Sequence, residues 1–411
     1  MELKQGYKQT EVGVIPEDWK VVHLSQLGKF KNGINKSSEA FGHGSPFVNL
    51  MDVFGVSSIA SSDALGLVDS NNAEQQTYDL RKGDVIFIRS SVKPSGVGLT
   101  AVIEEDLPKT VYSGFLIRFR DSGALDNGFK RHCFYQEGFR KRVIGGSSVS
   151  ANTNINQDNL KKILIAIPPS KAEQTAIAAA LSDADTLIQS LAKLITKKCN
   201  IKQGAMQELL KPKESWVVKK LGAVGTFSKG QGIRKDECMN GAIPCIRYGE
   251  LYTRHNDYVK QYYSFISDSV AQTAKKLKPG DILFAGSGET KEEIGKCAAF
   301  IDNTVAYAGG DIVILSPVNV DPLFLGFYLN TPLVVKQKAS RGQGDAVVHI
   351  SAGNLKDIEI PIPPLPEQTR IATILRDMDA EISFLETKLA KYQQIKEGMM
   401  QNLLTGRIRL V

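Results

Sequence analysis

The chain has 411 residues, 42% hydrophobic and 23% charged, an ordinary globular composition that at roughly 150 residues per domain implies two or three domains. Lys plus Arg number 51 against 44 Asp plus Glu, and the net charge of +7 permits a nucleic-acid partner without demanding one and excludes a disordered basic tail. No apolar run approaches the ~18 residues of a membrane span, the N-terminal stretch is too polar for a secretory signal, and five scattered cysteines form no CxxC pair, so a reduced, cytoplasmic protein without disulfide framework or zinc site is expected.

Along the chain, two kinds of element alternate. Residues 17–167 hold short β-rich runs (VIFIRS, FLIRFR, ILIAI) broken by Gly, Ser and Asn turns. Residues 171–210 then read as one long helix. Its apolar positions are Ile177, Leu181, Ala184, Ile188, Leu191, Ile195, Ile201, Ala205 and Leu209, with Lys198 interrupting. Lys211–Ser215 form a short junction to a second β-rich region, 215–362 (DILFAG, DIVILS, IEIPI), which includes a helical patch at 321–338. Residues 365–404 give a second long helix, with apolar residues at Ile371, Leu375, Met378, Ile382, Leu385, Leu389, Tyr392, Ile395, Met399 and Leu403. Steps of three and four sustained this long describe a heptad seam, so the two helices are expected to pair. The residues carrying that pairing are Ile177, Leu181, Ile188, Leu191, Ile195, Leu209, Ile371, Leu375, Ile382, Leu385, Leu389 and Leu403. Pro-Pro before each helix forbids an earlier start. About 38 residues at 1.5 Å each give a rod of roughly 57 Å.

The chain also repeats itself. Residues 159–169 read NLKKILIAIPP and residues 354–364 read NLKDIEIPIPP, an offset of 195. After one inserted residue the match continues at offset 194, pairing Glu173-Gln174-Thr175 with Glu367-Gln368-Thr369, and Lys202, Gly204 and Met206 with Lys396, Gly398 and Met400. Trp19–Gly33 resembles Trp216–Gly230, and the Gly-Asp strand starting at Gly83 resembles the one starting at Gly280. Such a period is a domain duplication and far too long for a solenoid. Between these anchors the halves diverge.

Connectivity suggests an arrangement. Each globular domain is joined to the next long helix by a few residues, so the helices should run antiparallel and the C-terminal tail should return to the first domain. The expected fold is α+β: two globular domains, 1–169 and 213–364, separated by a two-helix coiled-coil spacer. The spacer helices are 170–212 and 365–411, the latter with the returning tail, and the chain is pseudo-twofold and pseudo-circular.

Catalytic signatures are missing. There is no GxxxxGK[ST] loop, no HExxH, no GxSxG and no Asn/Asp-Pro-Pro-aromatic methyltransferase motif. Gly96-Val97-Gly98, Gly286-Ser287-Gly288 and Gly342-Gln343-Gly344 fail to complete a dinucleotide fingerprint and read as turns. Asp183, Asp185, Asp377 and Asp379 are i, i+2 pairs on the helices, pointing to different sides, and read as surface or cap residues. Glu289–Glu293 reads as a solvated charge run. A duplicated scaffold with divergent interiors and no catalytic apparatus is suited to binding two different things.

At this point the sequence resembles the specificity (S) subunits of type I DNA restriction–modification enzymes over essentially its whole length. The carriers are GYKQTEVGVIPEDW near the N-terminus, the two Gly-Asp strands Gly83–Phe87 and Gly280–Phe284, the twofold IPP…EQ motif, and the helix ends GAMQELL and GMMQNLLTGRIR. One departure is the junction Lys211–Trp216, which is shorter than the pseudo-circular match through the termini. The resemblance implies two target-recognition domains, each reading one half of a bipartite, asymmetric site on double-stranded DNA. It implies two modification (M) subunits as partners, with restriction (R) subunits in the full complex and no membrane. It further implies that this chain is non-catalytic and binds no cofactor, S-adenosylmethionine residing on the modification subunits, which methylate adenine N6. A specificity subunit of another multi-subunit restriction or phage-defence system is the alternative. Further alternatives are a pair of degenerate catalytic domains and a coiled-coil protein scaffold.

Reading DNA needs cations for phosphates and polar side chains for base edges. In the first domain the candidates are Lys31, Asn32, Lys36, Arg89, Ser90, Ser91, Lys93, Arg140 and Lys141, the last two preceding the Gly-Ser-Asn loop 145–156. In the second they are Lys229, Gln231, Arg234, Lys235, Arg247, Tyr248, Arg254, Arg341 and Gln343. The loops after the Gly-Asp strands, 89–98 and 285–295, are the preferred readers because they are equivalent in place and different in sequence. Glu173-Gln174 and Glu367-Gln368 are candidates for a modification-subunit dock or, as a structural reading, for helix N-terminal bracing.

Overall fold

The computed structural model describes residues 5–238, 241–344 and 347–410, apart from the Lys235 side chain. Contacts divide the chain into two compact units, 1–193 with 387–411, and 194–386. Each is α+β, as expected.

The first unit is built on a five-stranded sheet ordered Gly28–Asn32, Leu116–Asp121, Val85–Ile88, Thr100–Ile103 and Ser58–Ile59. Val85–Ile88 lies in the middle with every residue buried, which is why its sequence is an unbroken apolar run. A three-stranded sheet (Val111–Tyr112, Phe41–Val48, Gly66–Val68) completes the β structure of this part of the unit. The second unit repeats the plan. Its main sheet is ordered Gly225–Lys229, Ile312–Pro317, Asp281–Ala285 and Cys297–Phe300, with Asp281–Ala285 again fully buried. In both units the strand after the buried Trp19 or Trp216 pairs with the strand before Pro-Pro: Lys20–His23 with Leu164–Ile167, and Val217–Lys220 with Glu359–Ile362.

The repeated Gly-Asp motif has a turn-making cause. Gly83 and Gly280 adopt φ of +83° and +97°, a left-handed backbone that glycine adopts without a Cβ penalty. The next residue closes the turn, Asp84 accepting from the Arg81 N–H and Asp281 from the Lys278 N–H, both at 2.8 Å.

The long helices span Lys171–Leu209 and Leu365–Leu403, 39 residues each. In the first unit Ile177, Ala178 and Leu181 share a core with Leu403 and Leu404, while Asp185 meets Lys396. In the second unit Leu209 and Leu210 pack in the core that holds Ile371, Ala372 and Leu375, while Lys202 meets Asp379 and Lys198 meets Glu381. In each unit one number rises as the other falls, so the helices run antiparallel there. Of the other predicted seam residues, Leu191, Ile382 and Leu385 are buried and Ile188, Ile195 and Leu389 are half-buried.

Three details depart from the sequence reading. Ile201 and Ile395 are 46% and 43% exposed; the seam passes instead through the adjacent Lys202 and Lys396. Those lysines are tolerated there because each faces an aspartate, Lys202–Asp379 at 2.9 Å and Lys396–Asp185 at 2.5 Å, the two pairs being repeat equivalents 194 residues apart. Asp185 and Asp379 are therefore interhelical partners rather than surface or cap residues, whereas Asp183 and Asp377 are exposed. The helical patch at 321–338 is two helices, Pro322–Tyr328 and Pro332–Arg341. The five cysteines are free thiols.

Candidate nucleic-acid interface

Segments far apart in sequence meet beside the end of each central strand. In the first unit the chain leaves Val85–Ile88, passes Arg89 and forms a short strand, Ser90–Ser91. That strand pairs antiparallel with Thr153–Asn154, which pairs in turn with Ser148–Val149. The loop after the Gly-Asp strand and the Gly-Ser-Asn loop thus form one small ribbon. Its tip, Ser148–Asn152, is exposed, as are Val92, Lys93 and Ser95 next to it; Val92 and Val149 are 80% and 75% exposed.

The second unit repeats the central pairing of this ribbon as a two-stranded one. Ser287–Gly288 pairs antiparallel with Val348–His349. The flanking hydrogen bonds match as well: Ile155 N–H donates to the Arg89 carbonyl, and Ile350 N–H donates to the Gly286 carbonyl, both at 2.9 Å. Around it lie the exposed Glu289–Glu293 run and Val347.

The first unit's candidate residues divide by what already holds them. Lys36 is half-buried in an ion pair with Glu74 at 2.8 Å, and Lys31 lies over the Tyr78 ring, 5.2 Å from its centroid. The Arg140 guanidinium is turned inward, donating to the Ser95 and Val97 carbonyls at 2.9 and 2.7 Å. Arg89 donates to the Gly114 carbonyl at 3.2 Å, and Lys141 pairs with Glu137 at 2.6 Å on an exposed helix face. Ser90 and Ser91 are ribbon residues, Asn32 ends an edge strand of the main sheet, and Lys93 is exposed at the ribbon.

In the second unit, Arg341 donates to the Gln337 and Asp357 carbonyls. Arg254 covers the Tyr263 ring at 5.0 Å. Gln343 exchanges both main-chain hydrogen bonds with His349 of the ribbon. Lys229 is exposed in a cleft of about 460 Å³ beside the ribbon, shared with Ser228, Asp311 and His349. Gln231 donates to the Thr273 carbonyl at 3.3 Å. Arg234 and Tyr248 are exposed, and Arg247 is half-buried at the start of a short helix. The Lys235 side chain lies outside the described residues.

The Glu-Gln pairs brace the helix starts. Gln174 accepts from the Asp126 N–H at 2.7 Å and donates to the Pro168 carbonyl; Gln368 accepts from the Asp321 N–H at 2.8 Å and donates to the Pro363 carbonyl. Asp126 and Asp321 in turn cap a helix in their own units. Glu173 is bound by Arg409 of the C-terminal tail, which also holds Asp18, and Lys213 binds Glu367 at 2.5 Å. Gln174 and Gln368 are each 2% exposed, so their amides are spent within the fold. Among the described residues no group of three His, Cys, Asp or Glu side chains could hold a metal ion, and no helix is long and apolar enough to cross a membrane.

A family model described as the type I restriction modification DNA specificity domain matches twice, at residues 16–197 and 213–396. The chain belongs to the family of type I restriction–modification specificity subunits. Both copies of the repeat are thus specificity domains. The MjaVIII specificity subunit of Methanocaldococcus jannaschii is 22% identical, with 99% of this chain and 97% of that one aligned. The EcoKI specificity subunit of Escherichia coli is 26% identical over 47% of this chain and 43% of its own. Among solved structures, the type I S subunit from M. genitalium shares the fold at a TM-score of 0.59 and 15% identity, covering 98% of each chain. Sequence reasoning named the loops of this specificity subunit but not Asn154 and His349, the residues facing Ser90 and Ser287 across the ribbons. The signal was present, since Thr153-Asn154-Ile155-Asn156 and Val348-His349-Ile350-Ser351 continue the offset of 195.

Proposed function

We propose that this specificity subunit reads a bipartite, asymmetric site on double-stranded DNA, one unit to each half-site, and directs methylation and cleavage carried out by partner subunits. The observation that carries the reading is the ribbon, made twice on one scaffold with the same main-chain pairing and different side chains. Equivalent placement with unlike chemistry is what two unlike half-sites require. Lys93 and Lys229, exposed beside the two ribbons, are suited to phosphates, which position a protein without reading sequence. The chain itself is non-catalytic in this reading and acts in the cytoplasm. It works with two modification subunits, which carry S-adenosylmethionine, and with restriction subunits in the full complex. A solved structure sharing the fold at a TM-score of 0.55 was titled for complex assembly of the type I system, which supports such partners here.

The test is to map N6-methyladenine in DNA from cells that express this chain with its cognate modification subunits. A single motif with two specified parts and a fixed unread gap is expected. Methylation without a gapped motif, or none dependent on this chain, would overturn the reading.

A further inference from the structure

One facing pair of the ribbon keeps its serine in both units and exchanges the residue opposite it. In the first unit Asn154 lies opposite Ser90; in the second, His349 lies opposite Ser287. These are equivalent places, because the ribbons share their pairing and the offset of 195 runs unbroken from 153–156 and 348–351 into the NLK segments. The serine is kept in both halves while the residue facing it is exchanged. Asparagine and histidine both present directed hydrogen-bonding groups, and asparagine suits the adenine edge.

The surroundings of His349 fit a reading role. Its main chain is pinned by two hydrogen bonds with Gln343, at 2.9 and 2.7 Å, and the next residue, Ile350, is tied to Gly286. Its ring Nδ1 lies 2.9 Å from the Ser287 hydroxyl. That contact orients the ring and leaves Nε2 without a hydrogen-bond partner among the described residues, since the two ring nitrogens are set one by the other. The side chain is exposed and borders the cleft that also holds Lys229 and Ser228. Lys229 ends the strand equivalent to the one that ends at Asn32, so the cation beside His349 is also a residue exchanged between the halves. A hydrogen-bonding edge on a rigid backbone, next to a cation able to take a phosphate, is the arrangement a base reader needs.

We propose that His349 is a specificity-determining residue, reading the edge of one base pair in the half-site of the second unit, with Ser287 as its positioning residue and Asn154 as its counterpart in the first. This rests on the bipartite reading above. The experiment uses the full complex with its modification subunits and maps methylated motifs for wild type, H349N, H349A and S287A, with assembly and thermal unfolding checked for each. H349N and H349A are expected to lower methylation of the original site at least tenfold and to change or relax one base pair in one half-site. The other half-site and the gap should stay as they are. S287A should weaken discrimination at that same base pair and leave every other position alone. If the wild type gives a gapped motif and the His349 variants methylate it unchanged, the proposal is overturned while the bipartite reading stands. Equal loss at both half-sites by an assembled variant would also overturn it, since that marks a scaffold role. If the wild type gives no gapped motif, the bipartite reading itself fails, and the proposal with it.

Discussion

Single residues in this protein are decided by what faces them. His132 has both ring nitrogens enclosed, Nε2 at 3.2 Å from the Ser182 hydroxyl and Nδ1 at 4.0 Å from Asp185. Burial pushes its pKa down to about 4, with the Asp185 charge opposing and Lys396 and Arg131 assisting. The unfolded chain therefore binds a proton near the ordinary value of 6.5 that the folded chain refuses until about 4. The stability held by neutral His132 is complete above pH 6.5 and is lost as pH falls through that window, at most about 3 kcal/mol. H132Q, which cannot titrate, should lose less stability than wild type between pH 7 and pH 4.5 in urea unfolding. Parallel losses in the two proteins would show that other groups govern acid sensitivity. The cations proposed from sequence obey the same rule. Lys36, Arg140 and Arg341 look like free DNA-binding charges in a linear chain, but they are held by Glu74 and by carbonyls that sequence does not place beside them. The proposed DNA contacts therefore fall to exposed ribbon residues rather than to these three.

Elements were legible wherever their signal is local. The long helices follow from a heptad and Pro-Pro, and the buried central strands from short apolar runs. The seam slipped at Ile201 and Ile395 because an apolar side chain next to a lysine looks like the inward one. Only the opposing helix, with Asp379 or Asp185, shows why the lysine goes in. The ribbons were illegible for a related reason: Ser90 meets Asn154, and Ser287 meets His349, across more than sixty residues of chain, and two-residue strands carry no periodicity. The lysine–aspartate pairs differ in burial, and that difference sets a prediction. The Lys202 and Asp379 side chains are 16% and 9% exposed, and Asp257 lies 3.6 Å from the same ammonium. Burial already raises the Asp257 pKa, and Lys202 opposes that rise. Lys260 also reaches Asp379, at 3.2 Å, so K202M would leave the enclosed Asp257 carboxylate without its cation and weaken the hold on Asp379, and should cost about 2 kcal/mol. Lys396 and Asp185 are 24% and 32% exposed, so water can replace the lost partner, and K396M should cost only about 1 kcal/mol. Equal costs in thermal or urea unfolding would refute burial as the controlling variable.

At the scale of the whole molecule the duplication is the governing fact, since each long helix begins in one unit and ends in the other. The helices belong to the cores of both units, with Ile177 and Leu403 in one and Leu209 and Ile371 in the other. Recognition of each half-site and the gap between them should then be separable properties. Under the proposed function, reading would belong to the ribbons and the gap to the length of helix between them. Seven residues inserted into both helices, at equivalent positions 194 residues apart, would keep every seam residue on its face, because seven residues complete two turns of the heptad. The insertion adds about 10 Å to each helix at 1.5 Å per residue. DNA rises about 3.4 Å per base pair, so the unread gap should lengthen by about three base pairs while both half-sites stay the same. Inserting the seven residues into one helix alone should instead mismatch the two seams and lower stability without producing a new motif. Methylation mapping of the two designs separates the outcomes. An unchanged gap in a folded, assembled double-insertion protein would show that helix length does not set the spacing, and altered half-sites would show that the ribbons do not read independently of it.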